Sequence, residues 1–243
     1  MRTPTPSIPD FHLHGDAGHP VPAVSRRQLL TRVAALTGAA YAGGTMNALA
    51  QTIPGKIPAT PFQTIGPFYP VELPADQDAD MTILGNNKER ALGTVIYVSG
   101  RVLDVQGVPV ANATLDIWQA NAAGRYAHPA DANKAPLDAN FQGFARIRTA
   151  ADGTYKFKSI KPGAYPTGDG DWIRPPHIHF DVKGNKSRAI TQMYFEGEAL
   201  NAKDRILKYI GNKDSVVAKL DAANGAAEKG ALNVRWDVVL VSG

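Results

Sequence analysis

An all-β domain is what the sequence predicts, on three observations. Past residue 51 the chain is a series of short β-rich runs divided by Gly, Pro and Asp/Asn. Those runs do not alternate with helical segments, which argues against a parallel α/β fold. The composition suits a packed core: 44% of the 243 residues are hydrophobic and 20% are charged, unlike a disordered chain. The architecture this favours is a β-sandwich with long functional loops and few short helices.

The first fifty residues stand apart. Residues 1–24 are rich in Pro and His and show no periodicity. Ser25-Arg26-Arg27-Gln28-Leu29-Leu30 follows, then a mildly apolar stretch from Val33 to Gly44, and finally the small residues of Ala48-Leu49-Ala50. That order resembles a twin-arginine export signal with a cleavage site, so residues 1–50 are expected to be removed and the protein to reach the periplasm. The competing reading is a cytoplasmic chain with a short amphipathic helix that happens to hold two arginines. His12, His14 and His19 fall before this signal and are not expected to be ligands.

In residues 51–243 the expected strands are Val95–Leu103, Thr114–Gln119, Phe144–Thr149, Tyr155–Ile160, His177–Val182, Ala189–Phe195 and Val234–Val241. Asp152-Gly153 reads as a tight hairpin turn between two of them. Asp214–Ala223 has helical spacing, with Val216, Val217 and Leu220 on one side. Residues 120–143 and 161–176 are long connections of the kind that carry function.

Composition also excludes chemistry. Without cysteine there is no disulfide, thiolate metal site or thiol nucleophile, so a metal must be held by nitrogen and oxygen. No apolar run approaches the ~18 residues of a membrane-spanning helix. The formal net charge is +4, half of it in the first fifty residues, and the remaining cations are scattered, so nucleic acid is not an expected partner.

The residues that carry chemistry begin with Arg174-Pro175-Pro176-His177-Ile178-His179-Phe180. The prolines enforce an extended approach, and on a strand His177 and His179 face one way, about 6.6 Å apart, while Ile178 and Phe180 face the other. That spacing lets two imidazoles converge on one metal. Further ligands must be carboxylate, tyrosinate or water. Asp181 continues the same face, so His179 and Asp181 with His128 could form a facial triad for ferrous iron. The other candidates are Tyr126 and Tyr165, each in a long loop just after a strand.

Three segments, Trp118–Tyr126, Ile160–Pro166 and Trp172–Phe180, closely resemble the intradiol ring-cleaving dioxygenases, most of all the iron-bearing chains of the protocatechuate branch. Thr64-Ile65-Gly66-Pro67-Phe68-Tyr69, Ala135–Phe141 and Gln192–Gly197 extend the likeness over roughly residues 60–241. The resemblance implies that Tyr126, Tyr165, His177 and His179 bind one ferric ion, and that Arg174 and Gln192 line the substrate pocket. It also implies a protocatechuate-like catechol as substrate, O2 as co-substrate, and a cis,cis-muconate-type diacid as product. In the family the second tyrosine, here Tyr165, is the ligand displaced as substrate binds, while the first, here Tyr126, persists. Ferric charge, two tyrosinates and one hydroxide sum to zero, which a dry pocket tolerates. An oligomer, with a homologous partner chain in the protocatechuate branch, is the implied assembly.

Two features stand against a simple transfer. Thr167 takes the place where protocatechuate enzymes usually carry tryptophan after the Tyr-Pro pair, so the pocket wall differs. Gly100–Leu115 and Thr149–Phe157 also resemble transthyretin-like and adhesin-type sandwich modules, which carry no metal and serve as binding or stalk domains. Tyr126, Tyr165, His177 and His179 together are what such a module does not need. His128, Trp118 and Trp172 are expected to be a solvated loop residue and two packing residues.

Overall fold

The computed structural model describes residues 56–223 and 228–243. The twin-arginine segment, with Arg26-Arg27 and Ala48-Leu49-Ala50, lies outside the described residues, as do His12, His14 and His19. Eleven strands are present: β1 (Val95–Asp104), β2 (Thr114–Trp118), β3 (Phe144–Arg148), β4 (Thr154–Ile160), β5 (Tyr165–Pro166), β6 (Ile173–Arg174), β7 (His177–Lys183), β8 (Arg188–Phe195), β9 (Val217–Ala222), β10 (Leu232–Arg235) and β11 (Val238–Leu240). Among the described residues, helix is limited to three short 3-10 segments between Ala199 and Val216, and no helix is long and apolar enough to cross a membrane. The all-β expectation holds.

Nine strands form one mixed sheet in the order β3-β2-β7-β8-β9-β10-β1, with β4 and β11 also paired to β1. The expected β-sandwich is not confirmed, since one mixed sheet links all nine strands, and the link lies in one segment. Asp214–Ala223 is not a helix but a 3-10 turn followed by β9, which pairs antiparallel with β10 and makes a short parallel contact with β8. Val216 and Ala218 are fully buried and Leu220 packs on the core, a period of two that the Val216–Val217–Leu220 spacing concealed.

Two further expectations are corrected. The Asp152-Gly153 turn is tight, with Gly153 N donating to Ala150 O at 3.0 Å, but it joins no hairpin: β3 pairs with β2, and β4 with β1. The run Val234–Val241 divides into β10 and β11, both parallel to β1. Between them Trp236 turns its carbonyl to the Tyr155 hydroxyl (2.7 Å), and the Asp237 carboxylate accepts from Arg101 N (2.8 Å) in place of a backbone partner.

The main core is filled by the inward residues of these strands, among them Ile96, Leu115, Ile117, Ile178, Phe180 and Met193. Alternation along β7 sends Ile178 and Phe180 into that core and His177 and His179 to the opposite face. A second, smaller cluster lies there: Trp118, Tyr126, Phe144 and Tyr165, with Phe68 and Tyr69 packed against it.

Candidate active site

Register builds the first half of the site. His179 sits opposite Trp118 of β2 on one side and Gln192 of β8 on the other, and His177 sits opposite Tyr194. The indole of Trp118 lies flat on the His179 imidazole, with centroids 4.9 Å apart and planes 11° apart. The Pro175 carbonyl is 2.6 Å from His177 Nδ1, which fixes the tautomer with the proton on that atom and leaves the Nε2 lone pair free.

The second half comes from the two long connections, and glycines let them meet. Asn121 folds the first loop: its Oδ1 accepts from Ala123 N and Arg125 N, both at 2.9 Å, while its carbonyl accepts from Gly124 N and Gly163 N. Gly124 is left-handed (φ 77°), and a Cβ there would stand 2.2 Å from the Ala164 carbonyl oxygen. A Cβ at Gly163 would stand 2.5 Å from Ala122 O. Only side-chain-free positions allow this approach, and it brings Tyr126 and Tyr165 edge to face at 5.5 Å. Asp131 completes the first loop by accepting from Tyr126 N at 2.7 Å. The β5–β6 ribbon sets Tyr165 opposite Arg174, three residues before His177.

Tyr126, Tyr165, His177 and His179 therefore converge, as the sequence suggested. Tyr165 Oη is 3.4 Å from His177 Nε2, the two imidazole centroids are 4.9 Å apart, and Tyr126 lies 6.4 Å from His179. All four are buried. Burial, with the Arg174 cation nearby, pushes His177 well below the ordinary imidazole range and His179 down to about 3, so both are neutral. Burial also raises both phenols, Tyr126 strongly and further through its neighbour Tyr165. The Tyr126 hydroxyl and His179 Nδ1 are buried without a hydrogen-bond partner among the described residues. Two neutral imidazoles and two phenols, one of them orphaned in a dry site, are a donor set that fits a hard cation able to take the phenols as phenolates.

The ferrous triad of His128, His179 and Asp181 does not form. Both carboxylate oxygens of Asp181 are taken by Arg188 at 2.7 and 2.8 Å. No group of three or more His, Cys, Asp or Glu placed to hold a metal occurs among the described residues. His128 packs edge-on against Phe68 instead.

Arg174 and Gln192 lie together beside the tyrosines. Arg174 Nε donates to Asp204 at 2.8 Å, and its Nη2 donates to Gln192 Oε1 at 2.6 Å and to the Tyr194 hydroxyl at 3.1 Å. Gln192 Nε2 donates to Thr64 O. A cavity of about 470 Å³ opens here, with Tyr165, Arg174, Thr167, Phe68, Trp172 and Ile206 in its wall. The sequence reading missed Asp204, Tyr194 and Phe68. Tyr194 shares the Gln192 face of β8 by period two, a signal that was available; Asp204 follows a 3-10 turn and carries none. Trp118 and Trp172 do more than pack: one braces His179 and the other walls the cavity.

The architecture and site together define an all-β protein with a buried nitrogen–oxygen donor set beside a cavity. A family model described as dioxygenase matches residues 64–242. The chain is 43% identical over 180 residues to the protocatechuate 3,4-dioxygenase beta chain of Burkholderia cepacia, covering 72% of this chain and 76% of that one. It is 32% identical over 177 residues to the alpha chain from the same organism, covering 68% and 86%. Among solved structures, the 3-chlorocatechol 1,2-dioxygenase of Rhodococcus opacus 1CP superposes with a TM-score of 0.59 at 22% identity, over 74% of this chain and 72% of that one, a likeness of fold. The chain belongs to the intradiol ring-cleavage dioxygenase family. It is accordingly an enzyme and not a stalk or binding module.

Proposed function

We propose that this chain is a ferric-iron enzyme that opens a catechol-type ring between its two hydroxyl-bearing carbons. One O2 is taken up, both oxygen atoms end in a cis,cis-muconate-type diacid, and no external reductant is consumed. The observation that carries this reading is the convergence of two phenols and two neutral imidazoles beside a cavity. Tyr126, Tyr165, His177 and His179 would hold the ion, which when bound supplies the Lewis acidity that makes phenolates of tyrosine and catechol and readies the ring for O2.

The remaining work falls to the side chains. Tyr165 stands in the cavity wall, whereas Tyr126 is tucked beneath Phe68, stacked at 4.5 Å. Tyr165 Oη is thus the atom placed to take a proton from an arriving catechol hydroxyl, and Tyr126 is the anchor that stays. Arg174, a permanent cation in a dry wall, stabilises negative charge on the ring. Gln192 and Asp204 hold the guanidinium in that position.

The test is oxygen uptake by iron-loaded protein with protocatechuate, catechol and hydroxyquinol, with the products identified. We expect a muconate-type product and a visible absorption band from tyrosinate. Tyr165→Phe should keep iron, shift the band and slow substrate chelation measured without oxygen; Tyr126→Phe should slow the later step with oxygen. A colourless, metal-loaded and active protein would overturn the tyrosinate ligation. Equal defects confined to one step in both variants would refute the division of labour.

The relatives' beta and alpha chains support an oligomer with homologous chains, and the order of residues 25–50 supports export of the folded enzyme with cleavage after Ala50. Mapping the mature N-terminus, with Arg26 and Arg27 both changed to Lys as the blocked control, tests export.

A further inference from the structure

The cavity beside Tyr165 is larger than one ring needs, and most of the polar side chains in its wall are bonded within the protein. Its volume of about 470 Å³ is that of sites taking ligands well beyond a single ring. Pro67, Phe68, Pro166, Trp172 and Ile206 give it apolar walls, and Trp172 is braced by the guanidinium of Arg205 at 5.2 Å from its ring.

Apart from the Trp172 indole N–H, which has no hydrogen-bond partner among the described residues, and the Tyr165 hydroxyl, the polar side chains in the wall are engaged with the protein itself. Thr64 Oγ1 accepts from Gly66 N at 3.1 Å. The Asp131 carboxylate accepts from Tyr126 N and Asn133 N at 2.7 and 2.8 Å. The Asn133 side chain accepts from Ala135 N and donates to Gly124 O. Thr167 Oγ1 donates to Trp172 O and accepts from Asp169 N. The single cation in the wall, Arg174, is paired with Asp204 through Nε at 2.8 Å. What remains for a ligand is the catechol end, at Tyr165 and the outer edge of Arg174. A carboxylate elsewhere on the ring would find no cation in the wall other than Arg174, already paired with Asp204, and would share the cavity with the Asp131 carboxylate.

We propose that the substrate of this site is an uncharged catechol bearing a bulky apolar substituent, an aryl or branched alkyl group, and not a ring carboxylate. The inference rests on the dioxygenase reading above and narrows its substrate class. It departs from the carboxylate-bearing compound in the name of the Burkholderia cepacia relative.

The experiment compares catechol, 4-tert-butylcatechol, 3-phenylcatechol and protocatechuate on iron-loaded full-length protein, as kcat/KM for ring cleavage and as anaerobic binding followed by tryptophan fluorescence. Expected is a preference of ~10-fold or more for a bulky neutral catechol over catechol, the scale of a well-filled apolar pocket, with protocatechuate below both in binding and turnover. Thr167→Trp, which fills the wall, should reduce the ratio of bulky to unsubstituted catechol by a similar factor. Protocatechuate equal to or better than the neutral compounds, or a ratio unmoved by Thr167→Trp, overturns the inference while leaving the dioxygenase reading intact. No intradiol cleavage of any of the four overturns that reading, and this inference with it.

Discussion

The outer face of β7 carries His177, His179 and Asp181 in strict alternation, yet its two ends are different environments. At the histidine end charge is scarce: the ion pair at hand is Arg174 with Asp204, both side chains almost fully buried. At the other end Asp181 lies opposite Asp116 on β2, and these two buried carboxylates are held by Arg146, Lys183 and Arg188, whose side chains are 36%, 40% and 53% exposed. Burial, with the Arg174 cation nearby, keeps both imidazoles neutral and free to ligate. The buried carboxylates of Asp116 and Asp181 are instead reached by cations from the solvent side. One strand face thus serves two purposes because what lies across from it changes within two residues.

The largest expected effect comes from the dry end. Asp204→Asn keeps an oxygen for the backbone amides of Ile206 and Leu207, which Asp204 Oδ1 now accepts at 3.0 and 2.7 Å, and removes the charge facing Arg174. An uncompensated buried guanidinium should cost about 3–5 kcal/mol in chemical denaturation. A loss no greater than that of Asp116→Asn would erase the contrast between the two ends.

Asp116 gives the next effect, and it depends on pH. Burial pushes its carboxyl up, but hydrogen bonds from Arg146 (2.5 and 2.8 Å), Lys183 (3.1 Å) and the Tyr69 hydroxyl outweigh burial and hold it below the ordinary carboxylate value. A depressed native pKa means the stabilisation is complete above the unfolded value of about 3.9 and is lost as pH falls through the native one. Asp116→Asn should be roughly 2 kcal/mol less stable at neutral pH and should lose less than the parent when denaturation is followed from about pH 5 to about pH 2. Parallel curves for the two proteins would show that this cluster does not couple to acid.

How much of this was legible in the sequence follows from which signals are local. The face of β7, the loop placement of Tyr126 and Tyr165, and six of the seven expected strands were readable because period two and Gly/Pro punctuation are properties of neighbouring residues. The seventh broke at Trp236-Asp237, where the Tyr155 hydroxyl and the Arg101 amide, both distant in sequence, take over the bonding. β9 was misread because Val216, Val217 and Leu220 satisfy both periods over so short a span; its strand state is decided by β8 and β10. Asp181 looked equivalent to the histidines by parity, and only the arrival of Arg188 and Lys183 distinguishes it. Asp204 left no trace, since its role exists only once a 3-10 turn carries it to Arg174.

A smaller effect tests how tightly the histidine end is held. Gly66 has φ 72°, and a Cβ there would sit 3.1 Å from His179 Cε1. Gly107 has φ 80° and open space around its Cβ position. Both Gly→Ala changes carry the same left-handed strain of about 1–2 kcal/mol. Gly66→Ala should in addition displace the imidazole and lower iron uptake, whereas Gly107→Ala should lose stability alone. Equal iron uptake in the two variants would mean that the loop yields rather than His179.

The smallest effect belongs to the exposed end. Arg188 grips Asp181 with two hydrogen bonds, a geometry that at a dry site would be costly to remove. Yet the Arg188 side chain is 53% exposed, so most of its charge is already solvated, and Lys183 Nζ remains 3.1 Å from the same carboxylate after the change. Water entering the vacated space restores part of what the guanidinium supplied. Arg188→Ala should therefore cost about 1 kcal/mol or less, and the cost should shrink further in high salt, where exposed pairs are screened. Denaturation at low and high ionic strength checks both statements. A salt-independent loss as large as that of Asp204→Asn would mean that Asp181 depends on Arg188 as Arg174 depends on Asp204, and that solvent access does not separate the two ends of the strand.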